Sequence, residues 1–267
     1  MENKGITLII SIYKHLDFLS IIFNALEKQS DQNFEVILAE DNDAIETITF
    51  IESKKNNFSF KITHLSQADT GFRKNAILNK AIGIAQFETI VFIDGDCIPH
   101  HEFIKEYIKG VQPHQAHCGR RVMLSRSKSE LLKNALEYKE SGIISLIINN
   151  CKSVEEAIFD RMHLIPVKKS RGLIGCNWGI HKKHLLEVNG FDETYNTPCV
   201  GEDVDIEWRL SQMGVKFLSI RHRAIVYHLY HPEQYNDQAY IENMKILQKT
   251  KDLNQIKSLN GIKKIGV

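Results

Sequence analysis

Residues 89–101 read TIVFIDGDCIPHH, and the fold follows from how this stretch is parsed. Thr89, Ile90, Val91, Phe92 and Ile93 form a continuous β-branched and aromatic run, the pattern of a buried strand, and Pro99 bars its continuation. The run stops at Asp94-Gly95-Asp96, so two carboxylates sit at a strand's C-terminal end. In an open α/β sheet that edge faces the ligand crevice, and Gly95 lets the backbone turn tightly while both acids stay free to converge. Hard oxygen ligands so placed suit Mn²⁺ or Mg²⁺, which would neutralise a diphosphate. Asp-Gly-Asp is also good turn chemistry anywhere. It is the strand before it that lifts a metal site level with a plain turn.

Upstream, Ile6–Ile12 is a strand candidate, and Leu16, Leu19, Ile22, Phe23 and Leu26 then recur at helical spacing. Residues 34–39 give a second strand, ending in Glu40-Asp41-Asn42-Asp43, and residues 60–65 a third. Asp69-Thr70-Gly71-Phe72-Arg73 leads into a helix with Ile77, Leu78, Ala81, Ile82 and Ala85 on its buried face. Strand and helix alternating in this way predict a doubly wound, mostly parallel central sheet flanked by helices, with Asp41, Arg73, Asp94 and Asp96 along one edge. Neither G-x-x-x-x-G-K-[ST] nor G-x-G-x-x-G is present. At that edge Asp41 could accept a hydrogen bond from a base N–H, Tyr13 could stack on the base, and Arg73 could meet a carbonyl or phosphate. Taken singly, Tyr13 reads equally as a half-buried loop aromatic and Arg73 as a solvated charge at a helix start.

Downstream, helical periodicity recurs at 130–138 and 154–162, separated by an Asn-Asn-Cys-Lys break, and this region reads as connecting and partner-facing. Arg120, Arg121 and Arg126 form either an anionic-acceptor patch or, more simply, a solvated basic strand. Residues 171–210 are more informative: RGLIGCNWGIHKKHLLEVNGFDETYNTPCVGEDVDIEWRL. Gly172, Gly175 and Gly179 flank Asn177 and Trp178, so a loop could approach a ligand closely while an indole offers a flat apolar face to a sugar. Gly201-Glu202-Asp203 then opens a helix with Ile206, Leu210 and Met213 in one stripe, which puts carboxylates at its positive end or simply caps it. Two more short strands follow at 215–219 and 224–227. The second runs into His228-Leu229-Tyr230-His231, where either imidazole could join the metal held by Asp94 and Asp96, or both could be surface histidines.

The 267 residues are 43% hydrophobic, enough for a sizeable core, and 34 Lys and Arg against 33 Asp and Glu give no case for nucleic acid. Five dispersed cysteines without C-x-x-C spacing, together with the lack of a leader, point to the reducing cytosol. No run is apolar enough to span a bilayer. Residues 1–240 read as one domain, a nucleotide-sugar-binding half to about 100 and an acceptor half from 101. After 241 comes a basic amphipathic tail able to rest on the inner face of an anionic membrane, or simply a frayed, solvated helix.

In chain order these are an acid after the second strand, Gly-Phe-Arg-Lys-Asn, D-x-D, a Gly-Asn-Trp loop, Gly-Glu-Asp and then His. Over about residues 4–235 the sequence resembles the family 2 glycosyltransferases of GT-A fold, with a second half like the galactosyltransferase-type C-terminal region. It departs from the commonest family pattern at Glu40 and Lys74. The resemblance implies that Ser11, Tyr13, Glu40, Asp41 and Arg73 bind the nucleotide base, and that Asp94 and Asp96 hold Mn²⁺ or Mg²⁺ on the diphosphate with His228 or His231. It further implies Asp203 as catalytic base, Glu202 on sugar hydroxyls, and Asn177 and Trp178 beside the sugar. The implied activity is inverting, metal-dependent transfer of a hexose or N-acetylhexosamine from a nucleotide sugar, UDP above others, to a saccharide or glycolipid hydroxyl in surface-glycan synthesis. A sugar nucleotidyltransferase and an inactive carbohydrate-binding protein are the rival readings.

Overall fold

The computed structural model describes residues 5–14, 16–135, 139–166, 168–199, 201–232 and 236–265. The first half alternates as the sequence predicts: β1 (Ile6–Ile12), α1 (Leu16–Glu27), β2 (Phe34–Glu40), α2 (Ile45–Lys54), β3 (Lys61–Ser66), α3 (Lys74–Ile84) and β4 (Thr89–Asp94). Then come β5 (Cys97–Pro99), α4 (Phe103–Gly110), β6 (Gln115–Cys118), β7 (Arg120–Met123), α5 (Arg126–Lys133) and α6 (Ile143–Ile148). The remainder is β8 (Lys168–Lys169), β9 (Asn177–His181), α7 (Lys182–Glu187), α8 (Glu202–Gln212), β10 (Lys216–Ser219), β11 (Ile225–His228) and α9 (Asp237–Asp252).

Eight strands form the main sheet in the order β3-β2-β1-β4-β9-β6-β10-β8. β1 to β4 are mutually parallel, while β9 runs antiparallel between β4 and β6. Both faces are covered, and the period of two sorts side chains between them. On β4, Val91 and Ile93 enter one core with α1 and α4, while Ile90 and Phe92 enter the other with α3 and α8. β1 and β2 divide in the same way, with Leu8 and Val36 on the first side and Ile9 and Ile37 on the second. Continuous apolar runs result, because neither face meets water.

A three-stranded sheet, β5-β11-β7, stands at the C-terminal ends of the central strands. Pro99 ends β4's reach but still pairs with Val226 at the edge strand β5, a place where its missing N–H is tolerated. Through this small sheet His228 is set opposite Cys97, one residue from Asp96.

One expectation fails in the second half. The periodicity at 154–162 yields only a short 3₁₀ turn over Val154–Ala157, after which Asp160 turns the chain by accepting the Leu164 and Ile165 amides. The periodicity at 130–138 becomes α5, which begins at Arg126 under a Ser125 cap; residues 136–138 lie outside the described residues. The expected division at 240 falls inside α9. That helix buries Ala239, Leu247 and Thr250, and the chain beyond it docks where the Asn189 amide donates to the Ser258 and Lys263 carbonyls. The tail is therefore packed rather than frayed. Among the described residues no helix is long and apolar enough to cross a membrane.

Candidate active site

The strand ends come together at a cleft of ≈ 420 Å³ lined by Ser11, Tyr13, Asp41, Phe72, Lys74 and Asp94. Its geometry starts at Gly95. The Gly95 amide donates to the Ser11 carbonyl at 2.7 Å, and a Cβ there would lie 2.6 Å from the Ile12 side chain. Only glycine lets the turn after β4 press onto the end of β1, and this brings the Ser11 hydroxyl within 2.6 Å of Asp94 Oδ1. Asp41 is buried, accepting the Gln67 amide at 2.7 Å and the Arg73 backbone N–H at 2.5 Å, so it also fixes the entry to α3. Tyr13 is half exposed, with its hydroxyl donated to Asp69 and the Lys14 ammonium 4.4 Å above its ring.

Lys74, not Arg73, carries the positive charge into the cleft. Its ammonium donates to Asp94 Oδ1 at 2.9 Å. Burial opposes that charge, yet Asp94, Glu202 and Asp203 surround it and hold its pKa above the ordinary lysine value. Arg73 folds back onto the Ala68 carbonyl. The two residues are adjacent at the start of α3, where a shift of one position turns a side chain by about 100°. Sequence reasoning saw Lys74 only as a departure from a pattern, because nothing local says which of two neighbouring cations faces inward.

Ser11 and Lys74 also line a smaller adjoining pocket with Gly175, Glu202 and Asp203. These acids open α8 after Gly201, whose φ of +155° and close approach to Tyr195 and Asn243 exclude a side chain. Asp203 accepts the Val204 amide of the first turn at 2.9 Å. Glu202 Oε2 is buried with no hydrogen-bond partner among the described residues. Burial pushes the Glu202 carboxyl up to about 7, with Lys74 opposing and Asp203 adding to the rise. Burial raises Asp203 as well, against Lys74 and the amides of Val204 and Gly175. The third acid of the helix, Asp205, is structural: it is buried and ion-paired with Arg209, whose guanidinium also donates to the Val188 and Gly190 carbonyls.

The two acids of D-x-D part company. Asp94 is taken by Ser11 and Lys74, whereas Asp96 Oδ2 lies 3.1 Å from His231 Nε2 and 3.5 Å from His228 Nε2. Asp96, His228 and His231 thus form a group able to hold a metal ion, and Asp94 is not part of it. Of the four residues expected at a metal, these three converge, while Asp94 is paired with Lys74. The donors fit a divalent cation: one carboxylate and two imidazoles suit Mn²⁺, and His231 Nδ1 donates to the Pro232 carbonyl, which leaves Nε2 free to ligate. His228 Nδ1 is buried and unpartnered. Without a cation, burial works against the Asp96 charge, but the His231 hydrogen bond and His228 bring its carboxyl down to about 2. His231 is pushed up to about 9, first by its hydrogen bond to Asp96, while burial lowers His228.

Four expected contacts are placed elsewhere. Trp178 is 1% exposed, stacked on Phe92 at 4.7 Å and edge-on to Phe191, so it presents no open face to a sugar and reaches only the floor of the smaller pocket. Asn177 is buried, accepting the Tyr107 hydroxyl and donating to the Arg120 and Ala224 carbonyls. Both sit on β9, a central strand covered on its two faces. Glu40 is buried beneath the cleft against His64 at 2.8 Å, and Arg73 is turned away as above. The arginine patch is dispersed too, since Arg120 donates to the Gly172 carbonyl and Arg121 to Cys176 Sγ.

The family profile described as Glycosyl transferase family 2 matches residues 7–186, which is more than half of the chain. The chain belongs to glycosyl transferase family 2. Its fold is that of solved GT-A glycosyltransferases. Over 91% of this chain it superposes on 64% of S. aureus TarS 1–349 in complex with UDP, with 16% identity and a TM-score of 0.59. It also matches GalNAc-T7 with UDP, GalNAc and Mn²⁺ (14% identity, TM-score 0.61, 91% of this chain and 48% of that one). A third match is the mannosyltransferase PcManGT from Pyrobaculum calidifontis in complex with GDP-Man and Mn²⁺ (14%, 0.60, 94% and 64%). This family 2 chain therefore spans between about half and two thirds of those three chains. No curated protein matches it in sequence.

Proposed function

We propose that this chain is an inverting, metal-dependent glycosyltransferase that moves a hexose or N-acetylhexosamine from a nucleotide sugar, UDP above others, to a hydroxyl of a saccharide or glycolipid in glycan synthesis. The observation that carries the reading is the Glu202-Asp203 pair at the start of α8, facing Lys74 and Asp94 across a pocket that opens beside the cleft. Family membership supports transfer over nucleotide-sugar synthesis. Five cysteines without a disulfide agree with a reducing compartment.

In this reading the nucleoside lies in the cleft with its base against Tyr13 and near Asp41, and the Ser11–Asp94 pair borders the ribose and diphosphate. Lys74 supplies a fixed cation for phosphate oxygens. Asp96, His228 and His231 would hold Mn²⁺ or Mg²⁺, which supplies neutralisation of the diphosphate's charge when bound. Asp203 accepts the proton of the acceptor hydroxyl as that oxygen bonds to the anomeric carbon. The carbon–oxygen bond to the diphosphate breaks, and its electron pair leaves with the nucleoside diphosphate. One displacement inverts the centre. A buried Asp203 of raised pKa is a stronger base than a solvated aspartate, which suits the task. Glu202, with a free buried oxygen, is placed to bond a sugar hydroxyl.

The test is Asp203→Asn, followed by UDP binding and by release of UDP from UDP-sugars with Mn²⁺. UDP binding should survive while turnover falls about 10²–10⁴-fold. Turnover near the unmodified rate would refute the base assignment.

A further inference from the structure

A second, wider groove lies outside the site described above. It measures ≈ 970 Å³ and runs between the outer face of α8 and the chain from Lys169 to Leu173, ending on β10. Val204, Glu207, Trp208 and Ser211 line one wall. These positions follow helical spacing and span about 10 Å of helix. Their upper end is the residue after Asp203, which itself lines the smaller pocket of the site.

Three features make this a built surface. The facing loop is held in shape, because Glu207 Oε2 accepts the Leu173 amide at 2.8 Å and the Gly172 carbonyl accepts Arg120 Nη1 and Ser170 Oγ. Trp208 is half-buried on the groove wall, unlike Trp178 in the core, so part of its indole is open to an apolar contact such as a pyranose ring makes. Lys169, Arg171 and Lys216 are exposed along the rim, while the one carboxylate of the lining, Glu207, is occupied by the loop. The field over the groove is therefore positive in a chain whose net charge is only +1.

We propose that this groove binds an extended anionic saccharide, carrying carboxylate or phosphate groups, with Trp208 as stacking face and Lys169, Arg171 and Lys216 as cationic rim, and delivers its end to Asp203 as the acceptor. The role as acceptor track rests on the transferase reading; the binding does not.

The experiment is to probe the whole chain against an array of neutral, uronate-bearing, sialylated and phosphorylated oligosaccharides, then to titrate the best binder by tryptophan fluorescence. Trp208→Ala and the surface double variant Arg171→Ala/Lys216→Ala are compared with the unmodified chain, and UDP with Mn²⁺ is measured on all three by thermal shift. Selective binding of anionic glycans is expected, weaker at high salt and weakened about tenfold or more by either variant, with the UDP shift unchanged. The double variant alters only exposed side chains, so it reports even if Trp208→Ala folds poorly. No glycan bound, only neutral glycans bound, or anionic binding untouched by both variants would overturn the proposal. Anionic glycans bound through Trp208 without any UDP shift would remove the transferase reading and leave the groove standing.

Discussion

Replacing Glu202 by Gln should make the protein more stable at pH 8 and leave its stability at pH 4.5 nearly unchanged. The Glu202 carboxyl is held at about 7 against an ordinary 4.5, chiefly by burial, and its Oε2 has no hydrogen-bond partner. Below pH 4.5 folded and unfolded chains both carry the proton, and the group contributes no pH dependence. Between 4.5 and 7 the folded state keeps a proton that the unfolded state has lost, so stability falls as pH rises. Above 7 the loss is complete. A difference of about 2.5 units at about 1.36 kcal/mol each is on the order of 3 kcal/mol. For a chain of this size that corresponds to a rise of about 5–10 °C in Tm at pH 8. Thermal melts of both proteins from pH 4.5 to 8.5, without ligand, give the answer. Parallel curves, with the same difference at both ends of the range, would refute the argument that this carboxylate is forced to ionise inside the fold.

Lys74→Met should weaken UDP binding about 10–100-fold, the worth of a charge-assisted phosphate contact, as read by calorimetry. His231→Ala should abolish the Mn²⁺ dependence of any UDP-induced thermal shift while sparing the metal-free shift, because it removes one of the three converging donors. Arg209→Met should cost about 3–5 kcal/mol in urea unfolding, since it leaves Asp205 ionised and buried without its partner. The same substitution should not change UDP affinity.

The parallel half of the sheet was legible because every strand there is buried on both faces, so its apolar runs and terminal acids stand out with no partner information. Ser11, Tyr13, Asp41 and Asp94 are found together for that reason: they all follow strand ends on one edge. What could not be read is direction. Arg73 and Lys74 are adjacent cations, and only the docked helix decides which one meets Asp94. Trp178 was misjudged in the same way. Trp178 stands among glycines and looked like a loop residue, but the strand it belongs to runs between β4 and β6, which buries it. Trp208 was marked by its helical spacing, opposite Ile206 and Leu210 of the buried stripe, and that signal was available in the sequence. The separation of Asp94 from Asp96 depends on His228 arriving from over a hundred residues away, beyond any local pattern.

The clasp around Gly201 bears on how the two acids are held in place. Asn243 of α9 packs against Gly201 and exchanges hydrogen bonds with Thr197, so the turn that presents Glu202 and Asp203 is braced by a helix that leaves the ribosome after every residue it braces. The nucleotide cleft is lined by residues before 100 and by Pro198, none of them on α9. Shortening α9 would thus loosen the turn that carries the two acids while leaving the lining of the nucleotide cleft in place.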